Sequence, residues 1–470
     1  MKLTRRNLIR KLSVGLGVMS TNLPAFASSF VKNERKDGND LRPKGFNMSG
    51  YSAPKIGRVR VGIIGLGNRG EEAVRRLSYI DGLDIVALSD KYRDRVEKCQ
   101  HALAEKKLPE AKMFEGGEEA WKGLCDMDLD LVYICTPWHW HAPMAIYSMK
   151  AGKHVAVEVP AATKLEECWE MVEVSENTRR HCMMLENCCY DFFEMLTLNM
   201  ARQGLFGEIV HTEGAYIHDL MDLNFSKTYY ADLWRLKENA TRNGSLYPTH
   251  GLGPVAQCLD INRGDRMDYL VSVSTGDFMM HDRAVKEAVG NPEFAPYVNS
   301  SFRGNMNTTT IRTEKGKSIM IQHDVTSPRP YSRIHLVSGT KGVAQKWPGP
   351  ERIAFGHKWA DKAEMDALYE KHTPPLIRHI GNIAKEVGGH GGMDFVMDWR
   401  LVDCLRNGLP LDMEVYDAAS WTVVGLLSEK SVKNRSVPCN IPDFTRGYYK
   451  ENKPVDLSLS SGATTLVRKF

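Results

Sequence analysis

The chain has 470 residues, 42% of them hydrophobic and 26% charged. That is more than one core ordinarily accommodates, since domains run to roughly 100–200 residues, so two globular units with extensions are expected. Five of the 62 basic residues fall in residues 1–29, which carry no acid, leaving 57 basic against 58 acidic residues in the body. This near-neutral body gives no electrostatic argument for nucleic acid or for membrane lipid.

The first segment reads as a targeting peptide. Thr4 to Lys11 form a twin-arginine region around Arg5-Arg6, a modestly apolar run follows to about Leu23, and Ala25-Phe26-Ala27 is a small-x-small cleavage signal. Export to the periplasm or beyond is the expectation, with residues 30–57 as a polar linker. No later stretch approaches the roughly 18 uninterrupted apolar residues of a membrane span. The ten cysteines are irregularly spaced, so buried free thiols are expected rather than a disulfide framework.

Strands and helices then alternate over residues 58–186. Strands are predicted at Val59–Ile64, Asp84–Ser89, Leu129–Cys135, His154–Val157 and Cys182–Leu185. Helices are predicted at Glu71–Ser78, Asp94–Lys106, Met144–Lys150 and Leu165–Asn177. Continuous apolar strands separated by helices imply an α/β Rossmann domain with a parallel sheet. Over 187–470 the pattern becomes period-two, at Ile209–Ile217, Asp268–Thr275, Asn307–Thr313, Ser318–His323 and Ser332–Ser338. A helix at Phe192–Arg202 precedes these strands and one at about Tyr416–Val432 follows them. This predicts an α+β domain with a mainly antiparallel open sheet and a last helix packing back on the body.

Gly65-Leu66-Gly67-Asn68-Arg69-Gly70 follows the first strand and opens a helix, and Asp90 ends the next strand. Glycines here allow a tight turn and close approach to a pyrophosphate, which the helix N-terminus attracts; an acidic residue at position 90 suits ribose hydroxyls and disfavours a 2′-phosphate. NAD is therefore the expected cofactor, with Arg93 as a nearby cation that would suit NADP. His139 and His141 are two apart, but zinc needs three or four ligands and no third is signalled, so no metal is expected. Tyr247 and His250 are three apart and would share a face if helical. Glu158 and Asn187 stand at strand carboxyl ends, where doubly wound sheets bind ligands. Tyr190 follows Asn187, and Tyr331 sits in a proline-rich turn after Ser327-Pro328-Arg329-Pro330.

Thr136-Pro137-Trp138-His139-Trp140-His141, Glu158-Val159-Pro160 and the stretch Gly244–His250 resemble motifs of the Gfo/Idh/MocA oxidoreductases. Two departures matter: Val159 replaces the lysine of that family's E-K-P, and Leu246 stands where an acid often precedes its histidine by four. The fuller strings Glu158-Val159-Pro160-Ala161-Ala162, Leu185-Glu186-Asn187, Tyr247–Pro254 and Gly389–Arg400 resemble glycosyl hydrolase family 109, which includes α-N-acetylgalactosaminidases. The resemblance implies a recycled NAD that oxidises C3 of the sugar, so that the C2 proton is removed and the C1 group eliminated before water adds and hydride returns. It implies cofactor contacts from Gly65, Gly67, Asn68, Arg69, Asp90, Trp138, His139, Trp140, His141, Glu158, Val159 and Asn187. It implies sugar contacts from Tyr216, Arg235, Tyr247, Pro248, Thr249, His250 and Tyr331. Acid–base roles fall to His250, Tyr331, Tyr190 and Glu158. An exported sugar or inositol oxidoreductase with net NAD turnover, or a non-catalytic NAD-holding sugar binder, are the alternatives. The expected partner is a small glycoside, and a homo-oligomer through the open sheet is compatible.

Overall fold

The computed structural model describes residues 42–470; the expected targeting peptide and the first part of the expected linker lie outside the described residues. Residues 42–57 are no free linker. They run extended along the body with Met48 and Ala53 buried, Ile56 N–H bonded to the Leu405 carbonyl, and the Arg42 guanidinium stacked on Trp169. The apolar side chains at 48, 53 and 56 within a polar stretch explain the difference.

The first half is a doubly wound sheet. Its strands are β1 (Val59–Ile64), β2 (Leu83–Ser89), β3 (Lys112–Phe114), β4 (Leu131–Ile134), β5 (His154–Val157) and β6 (Cys182–Met184). Helices α1 (Asn68–Leu77), α2 (Arg93–Glu105), α3 (Ala120–Cys125), α4 (Trp138–Lys150) and α5 (Leu165–Thr178) connect them. The spatial order is β3-β2-β1-β4-β5-β6 and all pairs are parallel. β4, β5 and β6 are buried along their whole length, as helices on both faces require. Two features differ from the sequence expectation. β3 is short and partly exposed, so it carries no apolar run to detect. α4 begins at Trp138 rather than at Met144, so the Trp-His-Trp-His string is the first turn of a helix capped by Pro137.

Strand register sets the geometry of the site. Ile64 pairs with Ser89 and with Ile134, Ile134 with Val157, and Val157 with Met184. The residues that follow, Gly65, Asp90, Cys135, Glu158 and Leu185, therefore leave the sheet along one edge, on either side of the point where strand order reverses. That is where doubly wound sheets open a ligand crevice.

The second half starts with α6 (Phe192–Arg202) and builds an eight-stranded sheet. β7 (Ile209–Ile217) leads through α7 (Trp234–Thr241) and α8 (Thr249–Cys258) to β8 (Met267–Ser274), α9 (Met280–Ala288), β9 (Asn307–Thr313) and β10 (Ser318–Asp324). Three short strands follow, β11 (Leu336–Gly339), β12 (Val343–Gln345) and β13 (Arg352–Ala354). Helices α10 (Lys362–His372), α11 (Pro375–Val387), α12 (Met393–Asn407) and α13 (Val415–Lys433) come next, and β14 (Cys439–Asn440) closes the sheet edge. The order is β13-β12-β11-β7-β10-β9-β8-β14; only β10 and β7 run parallel. β11 starts four residues later than predicted, because Ile334 and His335 take positive φ and break the extended run.

Helix α8 lies directly on β7. A Cβ on Gly214 would stand 2.3 Å from the Gly251 carbonyl oxygen, and one on Gly251 2.2 Å from the Ala215 nitrogen. Only glycine at both positions permits this approach, and it brings the start of α8 against the end of β7. α13 packs against α5 and β8, joining the two halves as expected of the last helix.

The carboxyl-terminal residues return to the first half. Val467 bridges Ile80, and Asp81 and Arg468 exchange backbone bonds with Leu466 and Tyr79. α12 sits against α1, where the fully buried Arg76 guanidinium donates to Asp398 at 2.8 Å and the Tyr133 hydroxyl donates to the same carboxylate at 2.8 Å. None of the ten cysteines is bridged, and nine are buried. No helix among the described residues is long and apolar enough to cross a membrane.

The Arg76–Asp398 pair gives a stability prediction. Asp398→Ala takes the nearer carboxylate from a buried cation, leaving it Asp394 at 3.5 Å, and should cost about 3 kcal/mol in chemical denaturation. Tyr133→Phe, which removes one hydrogen bond and leaves the ion pair, should cost about 1 kcal/mol by the same measurement.

Candidate active site

The glycine turn is built by contacts that leave no room for other residues. Gly65 has a φ of +84°, and a Cβ on Gly70 would lie 1.8 Å from the Gly65 carbonyl oxygen. Asp90 ties the turn to the sheet: its carboxylate accepts from Leu66 N–H at 2.7 Å and from Tyr92 N–H at 2.9 Å. The start of α1 has Gly67 as its cap with no side chain bonded across it, so its free N–H groups and positive end face the cleft. The residues thus fit a dinucleotide: an open anion cradle with a carboxylate beside it that retains acceptor capacity for ribose hydroxyls. Arg93 is turned away, paired with Glu97 at 2.7 Å and Glu115 at 3.2 Å. Arg95, 3.7 Å from Asp90, lines this end together with Lys91 and Lys98.

From this turn one cleft of about 720 Å³ runs to the second half. Its middle is lined by Trp138, His139, Trp140, His141, Glu158, Val159 and Asn187. His141 is buried, with its ring nitrogens 2.7 Å from the Pro160 carbonyl and 2.6 Å from that of Thr136. Burial lowers its pKa, so a neutral ring donates to one carbonyl and pins the 136–141 turn to the Glu158-Val159-Pro160 turn. Glu158 is not free. Arg69 donates to it at 2.8 Å and reaches Asp394 at 3.1 Å, while the Asn187 amide donates to the other Asp394 oxygen. Burial opposes ionisation of Asp394, but Arg69, His390 and Arg76 together outweigh it and hold this carboxyl well below its usual range. His390 joins the cluster at 2.8 Å from Asp394.

The far end is aromatic. The imidazole of His250 meets the rings of Tyr247 at 4.8 Å and Tyr216 at 5.3 Å, both edge to face. Tyr247 stacks on Trp138 at 5.7 Å, and the Arg235 guanidinium lies 5.2 Å from each of those two rings. Tyr216 OH is 3.1 Å from His218 Nδ1. Burial pushes the Tyr216 hydroxyl up to about 12, and burial together with Arg235 lowers His218 to about 4. At neutral pH Tyr216 and His218 therefore present a phenol and a neutral imidazole, with the charged Arg235 guanidinium beside them.

The sequence reading separates here. Gly65, Gly67, Asn68, Arg69, Asp90, the Trp138–His141 string, Glu158, Val159, Asn187, Tyr216, Arg235, Tyr247 and His250 all line the one cleft. Tyr190 does not. It is 2% exposed, and its hydroxyl donates to Asp412, itself paired with Arg400, behind the cleft wall. Pro248 caps α8 and Thr249 is wholly buried, so neither is part of the lining; Tyr247 precedes the helix, and the shared helical face is not what joins it to His250. Tyr331 stands one layer back, its ring edge-on to His218 at 5.0 Å and its hydroxyl accepting from Arg333 at 3.3 Å. Sequence reasoning missed Glu186, which accepts from His250 Nδ1 at 2.7 Å. Its signal was present, since it precedes Asn187 at the same strand end. His218 was missed too; its spacing of two from Tyr216, just past the end of β7, was its cue. Glu186, Cys188 and His250 have donor atoms within 4.8 Å of one another.

Residues 190–451 match the domain described as "Glycosyl hydrolase 109, C-terminal domain", and residues 59–186 match "Oxidoreductase family, NAD-binding Rossmann fold". A protein of Bacteroides fragilis strain YCH46 named "Glycosyl hydrolase family 109 protein 1" is 46% identical over 468 residues, 95% of this chain and 97% of that one.

The chain belongs to glycosyl hydrolase family 109.

A second Bacteroides fragilis relative, named "Alpha-N-acetylgalactosaminidase", is 49% identical over 418 residues, 87% of this chain and 97% of that one. Scyllo-inositol dehydrogenase from Lactobacillus casei, solved with NAD(H) and scyllo-inositol, superposes with a TM-score of 0.58 at 12% identity, covering 82% of this chain and 99% of that one. At that identity the likeness speaks for the fold alone: a family 109 chain on an NAD-binding oxidoreductase framework. Gly70→Ala tests the cradle. The added methyl displaces the Gly65 carbonyl, and dinucleotide binding measured by calorimetry should weaken at least tenfold, by about 1.4 kcal/mol or more.

Proposed function

We propose that this protein is a glycosidase acting on terminal α-N-acetylgalactosaminides with a bound, recycled NAD. The observation that carries the reading is continuity. The glycine cradle and the His250–Tyr216–Tyr247 wall face one another across a single cleft, and Val159 stands where a dehydrogenase of this fold would present a lysine. The name of the 49%-identical relative supports the substrate class. The Thr4–Lys11 and Ala25–Ala27 signals support export, where a cofactor that is never consumed suits a compartment without a supply of it.

NAD, held by Gly65–Gly70, Asp90 and the Trp138–His141 turn, would supply the hydride acceptor and donor at C3 of the sugar. The chain's own residues do the rest. Arg235, Trp138 and Tyr247 form an amphipathic platform for a sugar ring, as aromatic faces with a planar cation do. His250 takes the C3 hydroxyl proton and later returns it. A carbonyl at C3 acidifies the C2 proton, and the Tyr216–His218 pair, backed by Tyr331, is the group we assign to move it. Glu158, clamped by Arg69, stands at the cofactor end of the cleft.

The test is incubation of the purified protein with a chromogenic α-N-acetylgalactosaminide in heavy water, without added NAD. The expected product carries deuterium at C2 with no accumulated NADH. Hydrolysis without exchange would overturn the mechanism, and sugar oxidation with stoichiometric NADH would assign a net oxidoreductase instead. His250→Ala should lower kcat/KM by about 10²–10⁴-fold with the cofactor content unchanged.

A further inference from the structure

His250 needs a partner to act as a base, and its own helix provides none. Leu246, four residues earlier, is buried and apolar; its backbone N–H donates to His323. The carboxylate comes from across the domain. Glu186 follows the last strand of the first sheet, is 0% exposed, and accepts from His250 Nδ1 at 2.7 Å. It is locked there from two sides. Cys188 N–H donates to the same oxygen at 3.3 Å, and Gly253, one helical turn beyond His250, packs so closely that a Cβ would lie 2.9 Å from Glu186 Cγ. Among the described residues His250 Nε2 has no hydrogen-bond partner, while the imidazole lines the cleft.

A neutral imidazole has one donor nitrogen and one acceptor, and an ionised carboxylate can only accept. We propose that Glu186 is the positioning residue of His250, holding the proton on Nδ1 so that the Nε2 lone pair faces the sugar. When Nε2 takes a proton, the ring becomes an imidazolium beside a buried carboxylate that carries no other cation. Burial works against ionisation of Glu186, but the neighbouring imidazole more than offsets it, and the carboxyl stays below its ordinary range. The other titratable groups around this ring are Cys188 beside Glu186, Tyr216 on β7, His218 just after it, and Tyr247 ahead of α8. The logic is that of a nucleophile–base–orienter set, with the orienter supplied by the cofactor domain. The inference rests on His250 as the acid–base group of the proposed glycosidase.

The experiment pairs nitrogen NMR with kinetics on the full chain. In 15N-histidine-labelled wild type, His250 should show a protonated Nδ1 and an acceptor Nε2 near neutral pH; Glu186→Gln should lose that preference. The same variant should lower kcat by about 10²–10⁴-fold, with KM within threefold, and NAD content and thermal unfolding near wild type. The acid limb of kcat/KM should move to lower pH, because the imidazolium has lost its counter-charge. Glu186→Asp should recover part of kcat. A wild-type Nε2–H tautomer, or Glu186→Gln within threefold in kcat, would overturn the proposal. So would stoichiometric zinc in the wild type that Glu186→Gln loses, since Glu186 would then be a ligand. If no form hydrolyses the galactosaminide, the glycosidase reading fails, while the nitrogen spectra still decide the tautomer.

Discussion

Parallel strands that end in step are the constraint on which this architecture turns. Because Ile64, Ser89, Ile134, Val157 and Met184 share one register across the sheet, the next residues of five strands emerge along one line. Each peptide beyond that line is free of ladder bonds and can turn toward a ligand. The glycine turn, the aspartate that ties it down, the Pro137-capped helix, the Arg69-clamped Glu158 and the Glu186 beneath His250 are successive uses of that one edge. A slip of one residue would exchange the faces of a strand and send these groups into the helical layers.

A chain of buried charge then links this edge to the far side of the first domain. Tyr133 and Arg76 hold Asp398, Arg76 reaches Asp394 at 3.5 Å, Asp394 holds Arg69, and Arg69 holds Glu158. Such pairs are poor sources of net stability, because desolvation offsets most of their attraction. Their effect is positional: the first turn of α1, the start of α12 and the end of β5 cannot shift independently. The carboxyl-terminal third of the sequence thereby builds part of the cofactor half.

What could be read from the sequence follows the same division. Val59–Ile64 with Gly65–Gly70 and Asp90 was legible because a parallel strand and a phosphate turn both demand local residue types. β9 and β10 were legible because one face of each is buried and the other is not. The helices between 362 and 407 escaped notice, although α11 is strongly one-sided, with Leu376, Ile377, Ile380, Ala384 and Val387 buried. α12 is buried almost throughout and therefore lacks the polar stripe that marks a surface helix. In the site, the residues near the strand ends were found and those joined only by tertiary packing were not. Glu186 and His250 are 64 residues apart and meet because Gly214 and Gly251 let a helix settle on a strand. Tyr190 failed for the converse reason: it is adjacent in sequence to the strand end, but the short turn at Asn187–Tyr190 rotates its ring into the core.

The segment just before α7 has a consequence for traffic through the cleft. Asn68 donates to the Tyr229 carbonyl at 3.1 Å, and Lys91 and Tyr92 both bond the Asp232 carboxylate, at 2.6 and 3.0 Å. These links cross from the nucleotide domain to the second domain over the adenosine end, and Asp232 and Leu233 take positive φ to make them. A dinucleotide beneath them is roofed as well as seated. Its escape would wait on the opening of that bridge, so the residence of a dinucleotide there would depend on a barrier to exit as well as on the strength of its contacts.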